Sequence, residues 1–197
     1  MTARADAVAR TRQQIIEAAV GRVRVSAEPL AMADVAARAG VSRATLYRHV
    51  ASVTDLLDAV AADLLARARF GKLQAALEAP DPVEALRQVV IAGTGIWAAD
   101  TVLVRNLLAL ARVQAAAVPV IERLELGRVA ALERLADRLH QAGRLRDGLT
   151  RPGAVDLLLV ITAFAAWDEL RTARNRSPAA ATAAITALAV RAVVTGS

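Results

Sequence analysis

The sequence contains no cysteine, which excludes a disulfide framework, thiol catalysis and a cysteine-ligated metal site. Aromatic residues make up only 3% of the chain although 56% of its residues are hydrophobic. Alanine, leucine and valine therefore supply most of the apolar surface, and these residues suit closely packed helices. The few prolines and glycines fall mostly between apolar segments with helical spacing, so the sequence predicts an all-α fold.

Long apolar runs are also missing. The longest nearly apolar stretch is 154–167, which has 14 residues, contains Asp156 and is too short to cross a bilayer. The opening residues, MTARADAVARTRQQ, carry charges and show no apolar segment of a secretory signal. We therefore expect a cytoplasmic protein that is not attached to a membrane.

No catalytic constellation is visible either. The two histidines, His49 and His140, lie in different segments with no metal or catalytic motif around them, and a glycine-rich phosphate loop is missing. We therefore predict no catalytic residue, no metal, no cofactor and no enzymatic activity.

The charge is basic, with a formal net charge of +6. Residues 1–50 hold eight arginines against four acids, a balance that favours a polyanionic partner. Lys72 is the only lysine, and an arginine preference of this kind is also what a GC-rich genome produces. The total charge therefore counts for less than its distribution.

Residues 33–57, ADVAARAGVSRATLYRHVASVTDLL, have the pattern of a helix–turn–helix unit. Val35 and Ala39 lie four residues apart on the inner face of a first helix. Gly40 follows where a helix end favours a residue with positive φ, and Val41 then fills the core from the turn. This pattern predicts two short helices joined by a tight turn.

The second helix of the unit carries a set of polar and basic side chains. Ser42 is suited to cap it, and Leu46 points inward. Its outer surface is then formed by Arg43, Ala44, Thr45, Tyr47, Arg48 and His49. A purely structural hairpin explains the apolar spacing equally well, but it does not explain this polar and basic face. The pattern favours DNA binding, and Arg10 and Arg12 of a preceding helix at 8–25 could follow the phosphate backbone.

Residues 8–65 resemble the N-terminal domain of the TetR family of transcriptional repressors, through the segments RTRQQIIEAA, DVAARAGVSRATLYRHV and ASVTDLL. The chain departs from the family pattern at Val50, where phenylalanine is usual, and at Val53, where a phosphate-contacting lysine is usual. The resemblance implies that the segment from Ser42 to His49 contacts DNA. In it, the two arginines would reach guanine edges, Ala44 and Thr45 a thymine methyl, and Tyr47 and His49 phosphates.

The resemblance also implies an N-terminal three-helix DNA-binding domain at 1–51 and a C-terminal helical domain at 52–197 for ligand binding and dimerisation, linked by a helix at 52–70. Helices at 154–174 and 178–194 lack a clear polar face, as a homodimer interface requires. Burial within one subunit is the alternative.

A small-molecule effector is implied as a partner, in a pocket between the central helices. Polar or aromatic residues in otherwise apolar segments are candidates to line it: Trp97, Arg105, Asn106, Gln114, Trp167 and Asp168. Core packing of the two tryptophans and an ordinary ion pair of Arg105 are the alternatives.

These observations predict a dimeric regulator, by resemblance a repressor, which binds a near-palindromic operator in double-stranded DNA and is released by an effector. Two other functions stay open. One is an effector-independent DNA-binding protein. The other is a helical small-molecule-binding protein or enzyme whose DNA-binding motif has degenerated, which Val53 favours.

Overall fold

In a computed structural model, residues 3–68 and 71–195 are described, and over these residues the fold is all-α, as predicted. This part of the chain has eleven α-helices, α1 (Ala3–Val25), α2 (Met32–Arg38), α3 (Arg43–His49), α4 (Val53–Arg67), α5 (Gly71–Leu77), α6 (Pro82–Ala99), α7 (Thr101–Leu110), α8 (Val118–Gln141), α9 (Arg151–Ile161), α10 (Phe164–Thr172) and α11 (Pro178–Val193). A 3-10 helix, Ala115–Ala117, precedes α8. None of the described helices combines the length and apolar character that a membrane span requires.

The helices form two compact units. The first contains Met1–Leu65 and Asp100–Leu124, and the second contains Ala66–Ala99 and Glu125–Ser197. The sequence-based division at residue 51 was drawn from the motif and stays a prediction. Contacts instead group the segment Asp100–Leu124 with the N-terminal helices. The predicted linking helix at 52–70 corresponds to α4, and residues 69 and 70 lie outside the described part of the chain.

The first unit is built around leucine and isoleucine side chains from its helices. Ile15 of α1, Leu46 of α3, Leu56 of α4 and Leu103 of α7 are completely buried. In this unit α1 packs against both α2 and α7, and α2 packs against α3. Burial of these side chains, at roughly 1.5–3 kcal/mol each, is the main stabilising contribution.

The second unit has its own apolar core, in which Leu86, Leu135, Leu158 and Trp167 have no exposed surface. Trp167 packs against Trp97, with ring centroids 6.0 Å apart, and Phe164 contacts both rings. Tilted and edge-on arrangements of this kind are favourable for aromatic pairs. Both tryptophans therefore take part in packing the second unit.

The prediction of one helix at 154–174 is wrong, because the structure has two helices, α9 and α10, with a break at Thr162 and Ala163. The Thr162 hydroxyl donates to the Leu158 carbonyl oxygen (2.6 Å), and Ala163 is extended. Arg128 of α8 donates to the Leu159 carbonyl oxygen (3.3 Å) and to Thr162 Oγ1 (3.1 Å). A side chain from a distant helix thus satisfies the free carbonyl at the break, which no local periodicity reveals.

Two further arginines of α8 make tertiary contacts. Arg134 forms an ion pair with Glu78. Arg138 donates to the carbonyl oxygens of Leu77 and Ala79 after α5, and also to that of Pro80 (3.3 Å). Guanidinium groups near the end of a helix satisfy carbonyls that have no partner within the helix.

Candidate nucleic-acid interface

The turn between α2 and α3 has the geometry that the sequence predicts. Gly40 has a φ of +66°, in the left-handed region. The Val41 N–H donates to the Ala36 carbonyl oxygen (3.0 Å), and the Gly40 N–H donates to that of Ala37 (3.2 Å). A Cβ added at Gly40 would meet nothing within 4 Å, so backbone conformation rather than space favours glycine here.

The start of α3 is fixed by Ser42. Its hydroxyl oxygen accepts from the Thr45 N–H (3.1 Å), and its O–H donates to Thr45 Oγ1 (3.0 Å). Leu46 is completely buried, and Val50, extended after the helix, is 4% exposed. Valine thus fills the core position where the family has phenylalanine. The DNA contact predicted for Ser42 would use a hydroxyl that already caps the helix.

The predicted contact residues lie together on α3, around the buried Leu46. Arg43, Ala44 and Arg48 are exposed, Tyr47 has 53% of its surface exposed, and Thr45 and His49 are half-buried. The helix contains two arginines and no acid. It can therefore present two exposed guanidinium groups and a phenol to a polyanion, with a half-buried imidazole at its end, which is the chemistry that groove reading needs.

The two arginines of α1 have different surroundings. Arg10 is exposed. Arg12 donates through Nη1 to the carbonyl oxygen of His49, the last residue of α3, at 2.7 Å. This bond holds the C-terminal end of α3 against α1. A phosphate contact by Arg12, as predicted, would have to use its remaining donors.

The start of α4 is capped by Ser52, whose hydroxyl oxygen accepts from the Asp55 N–H (3.1 Å). Val53 is therefore the first residue of α4, and it is half-buried. The family lysine would extend from this helix end toward the backbone of DNA. With valine here, the first residue of α4 has no cationic side chain for a phosphate, although the backbone N–H groups of the helix end are still suited to one.

Two residues predicted to bind an effector make hydrogen bonds between distant segments of the first unit. The Asn106 side chain donates to the carbonyl oxygens of Val23 (2.7 Å) and Arg24 (3.1 Å) at the end of α1. Gln114 accepts from the Leu30 N–H (2.9 Å) and donates to the Leu30 carbonyl oxygen (3.0 Å). Both amides are committed to backbone groups, so an effector would have to compete with these bonds.

Charged residues that the sequence did not single out also tie the segment 100–124 to the N-terminal helices. Asp100 is 8% exposed; one carboxylate oxygen accepts from Arg24 Nε (2.6 Å) and the other from the Leu103 N–H (3.1 Å). Asp58 of α4 forms an ion pair with Arg123, and its hydrogen bonds raise the pKa of Arg123 above its ordinary value. These pairs join residues far apart in the chain, which explains why sequence pattern missed them.

The six predicted effector residues are divided between the two units. Arg105, half-buried, lies in the first unit with Asn106 and Gln114, whereas Trp97, Trp167 and the half-buried Asp168 lie in the second. The structure brings Trp97 and Trp167 together, and Trp167 Nε1 donates to Thr182 Oγ1 (3.2 Å). A groove of about 810 Å³ lies between α6 and α11, and none of the six is among the residues that line it.

The N-terminal helices match a known protein family. Residues 24–60 match the family model described as bacterial regulatory proteins, tetR family. The match covers the end of α1, the whole helix–turn–helix and the first half of α4. No curated protein matches the chain significantly.

Solved structures of low sequence identity share the fold over nearly the full length. A TetR-family transcriptional regulator from Agrobacterium tumefaciens is 21% identical, with a TM-score of 0.67 over 95% of this chain and 99% of the other. FadR from Bacillus subtilis, solved in complex with stearoyl-CoA, is 19% identical (TM-score 0.73; 91% and 98%). NalD from Pseudomonas aeruginosa, the secondary repressor of the MexAB-OprM multidrug efflux pump, is 20% identical (TM-score 0.72; 96% and 98%). The segment 24–60 therefore matches the tetR family of bacterial regulatory proteins, and the chain shares its fold with TetR-family transcriptional regulators of known structure.

Proposed function

We propose that this chain is a cytoplasmic transcriptional regulator that binds double-stranded operator DNA through α3. The observation that carries the proposal is the outer face of α3, which presents Arg43, Tyr47 and Arg48 to solvent and contains no acid. The family match over residues 24–60 supports the same function. A helix of this kind enters the major groove, where arginine can form two hydrogen bonds to a guanine edge.

Arg48 and Arg10 make a matched pair for testing this function. Arg48→Ala removes a group that we expect at a base edge, so it should weaken operator binding roughly 5- to 100-fold, with a smaller loss on random DNA. Arg10→Ala removes a phosphate contact and should weaken both by a similar factor. Fluorescence anisotropy on operator and random duplexes measures, for each variant, the loss of affinity on both kinds of DNA. Equal losses for Arg48→Ala on both duplexes would mean that Arg48 contacts only phosphate.

We further propose a homodimer formed through the helices predicted at 154–174 and 178–194, which are α9, α10 and α11 in the structure. Two exposed apolar side chains support this interface: Val160 on α9 is 72% exposed, and Leu188 on α11 is 46% exposed. A dimer would place its two α3 helices in successive major grooves, about 34 Å apart in the simplest case, on a near-palindromic operator.

Sedimentation of V160D/L188D tests the dimer. The two charges should convert the protein to a monomer because they would have to be buried in the interface. The matched control is Val113→Asp, which alters an exposed valine of the first unit and should leave the dimer intact. A V160D/L188D protein that still sediments as a dimer would place the interface elsewhere.

We also propose that a small-molecule effector releases the protein from DNA and that the regulatory outcome is repression. Two structural neighbours support it: FadR is solved with stearoyl-CoA, and NalD is a repressor. We propose that the effector moves α4 and thereby changes the spacing of the two α3 helices. The operator affinity then shifts by no more than the effector's preference for one of the two states.

Selection of bound sequences from random DNA, at two salt concentrations, separates the candidate functions. A palindromic consensus would support a dimeric regulator. Binding without a consensus, with a steep salt dependence, would indicate an effector-independent DNA-binding protein instead. No binding even at low salt would contradict the proposal and favour a protein with a degenerate motif.

A further inference from the structure

The second unit contains an open groove of about 810 Å³ between α6 and α11, which we call the α6/α11 groove. It is lined by Arg87, Ile91, Gly95 and Ala98 of α6 and by Pro178, Ala179, Thr182, Ala183, Thr186, Ala187, Val190 and Arg191 of α11. Most of these side chains are small and apolar. Among the described residues that line the groove, two are arginines and none is acidic, so the groove is apolar with a positive charge.

Both arginines lie at the same end of the groove. The hydroxyl of Thr182 donates to Thr94 Oγ1 at 3.0 Å, which places residue 182 of α11 beside residue 94 of α6. Arg191 follows Thr182 by nine residues, so in a parallel pair it would lie beyond the end of α6 at Ala99 and could not line the groove. In an antiparallel pair it lies close to Arg87. Because both arginines line the groove, α6 and α11 are antiparallel. The groove has a cationic end at Arg87 and Arg191 and an apolar end at Ala98 and Ala179.

The hydroxyl groups that line the groove already donate hydrogen bonds within the protein. The Thr182 hydroxyl donates to Thr94, which in turn donates to the Val90 carbonyl oxygen (2.9 Å). The Thr186 hydroxyl donates to the Thr182 carbonyl oxygen (2.8 Å). The guanidinium groups are therefore the side-chain donors that the described lining residues can offer a ligand. A ligand must match them with acceptor oxygens and match the walls with an apolar body.

Among the described residues, neither arginine is neutralised by a strong ion pair within the groove. Arg87 has Glu84 at 3.7 Å, one turn away on the same helix, and both side chains are more than 40% exposed. An exposed pair at this spacing contributes little. Arg191 is exposed in the last turn of α11. The cationic end is therefore suited to an anionic head group, which guanidinium binds through charge-assisted hydrogen bonds.

We propose that the α6/α11 groove is the effector site of the proposed regulator and that its ligand is an amphipathic organic anion. The anionic head binds Arg87 and Arg191, and the apolar body lies along Ile91 and the alanines of α11. From Arg87 to Ala98 the helix rises by roughly 16 Å, which sets the length of the apolar body. This inference rests on the proposed function, because an effector matters only if the chain is a regulator.

A second copy of the chain is the other possible occupant. Leu188, which we place in the dimer interface, lies two residues from Thr186 and therefore about 160° around α11 from it. The centre of the groove and the side of α11 that carries Leu188 are thus different faces of the helix, although Arg191, three residues from Leu188, lies only about 60° from it. A dimer of identical copies would also bring like charges together if the cationic ends met. The groove therefore fits an anion better than a second copy.

Tryptophan fluorescence of the full chain provides the test. Trp167 and Trp97 are the two tryptophans of the sequence, and Trp167 donates to Thr182, which lines the groove. We would titrate the protein with decanoate, decanol and decylamine, which share an apolar chain and differ in charge. Decanoate should give a saturable change with a Kd at least about tenfold lower than that of decanol, as expected for a charged hydrogen bond. Decylamine should not bind.

Three variants locate the binding. R87Q/R191Q should weaken decanoate binding about tenfold or more and leave decanol unchanged. Ala183→Phe fills the groove from an exposed position and should abolish both responses. Arg174→Gln, which removes an exposed arginine outside the groove, is the control and should bind decanoate normally.

The outcomes separate this inference from the proposed function. Failure of decanoate to bind, or equal binding by R87Q/R191Q, would overturn the groove as an anion site, while DNA selection would still test the regulator. Decanoate binding without any change in operator affinity would overturn its role as the effector site. A change of oligomeric state in R87Q/R191Q, with no decanoate response in the unmodified chain, would mean that a second copy covers the groove.

Discussion

The α2–α3 pair and the second unit differ in how far apart in the chain their stabilising contacts lie. In the pair, Val41 bonds to Ala36 and Thr45 bonds to Ser42, so each contact closes a loop of a few residues. In the second unit, the bond from Thr182 to Thr94 spans 88 residues, and the one from Arg138 to Leu77 spans 61. Long loops cost more entropy to close, so the second unit depends more on burial of its large side chains.

Removing Trp167, the largest fully buried side chain of the second unit, should have the largest effect on stability. Trp167→Ala leaves a cavity where the side chain had no exposed surface, so the free energy of unfolding should fall by about 3–5 kcal/mol. Urea unfolding followed by circular dichroism measures it. Trp167→Phe keeps a ring and loses the bond to Thr182, so its loss should be smaller. A loss below about 1 kcal/mol for Trp167→Ala would contradict the dependence on burial.

A second prediction concerns the contacts of the first unit that do span a long stretch of chain. Gln114→Ala leaves the N–H and carbonyl of the buried Leu30 without their partners and should lower stability by about 2 kcal/mol. Hydrogen exchange at the Leu30 amide should become faster. Gln114→Met restores the volume but not the bonds. If Gln114→Met were as stable as the unmodified chain, packing rather than hydrogen bonding would explain the role of Gln114.

A third prediction compares one glycine from each region. A Cβ would meet nothing within 4 Å at either Gly40 or Gly95, so substitution tests the backbone alone. Gly40→Ala forces a positive φ on alanine and should destabilise by about 1–2 kcal/mol. Gly95→Ala lies inside α6 and should stabilise by about 0.5–1 kcal/mol. Urea midpoints that shift in the same direction for both variants would contradict this account.

The smallest expected effect is on DNA affinity rather than on folding. Val53→Lys restores a cation at the first residue of α4, where the family has a phosphate contact, and should raise affinity several-fold at low salt. The slope of log K against log salt should steepen by about 1 per subunit, and so by about 2 for a dimer, because each added lysine releases one more counterion. Val53→Gln, which adds length without charge, is the control. An unchanged slope for Val53→Lys would mean that α4 does not approach the phosphates.

The helix–turn–helix could be predicted closely because each of its signals acts within a few residues. Gly40 has the positive φ that its place after α2 indicated, Ser42 caps α3, and Leu46 is buried. The effector residues stay a prediction, because their signal is not local in the same way. Asn106 and Gln114 were selected as polar groups in apolar segments, and that pattern is the same whether an amide binds a ligand or a backbone group of a distant helix.

The helical class, the helix–turn–helix and the basic face of α3 could be predicted from local pattern, because periodicity, capping and turn conformation depend on neighbouring residues. Three other features depend on tertiary packing. The tertiary fold divides the segment predicted as one helix at 154–174 into two helices, with hydrogen bonds of Thr162 and Arg128 at the break. It grouped Asp100–Leu124 with the N-terminal helices, and it brought Arg87 and Arg191 to one end of a groove. These three depend on which distant segments pack together, and that is set by burial over the whole unit rather than by local pattern.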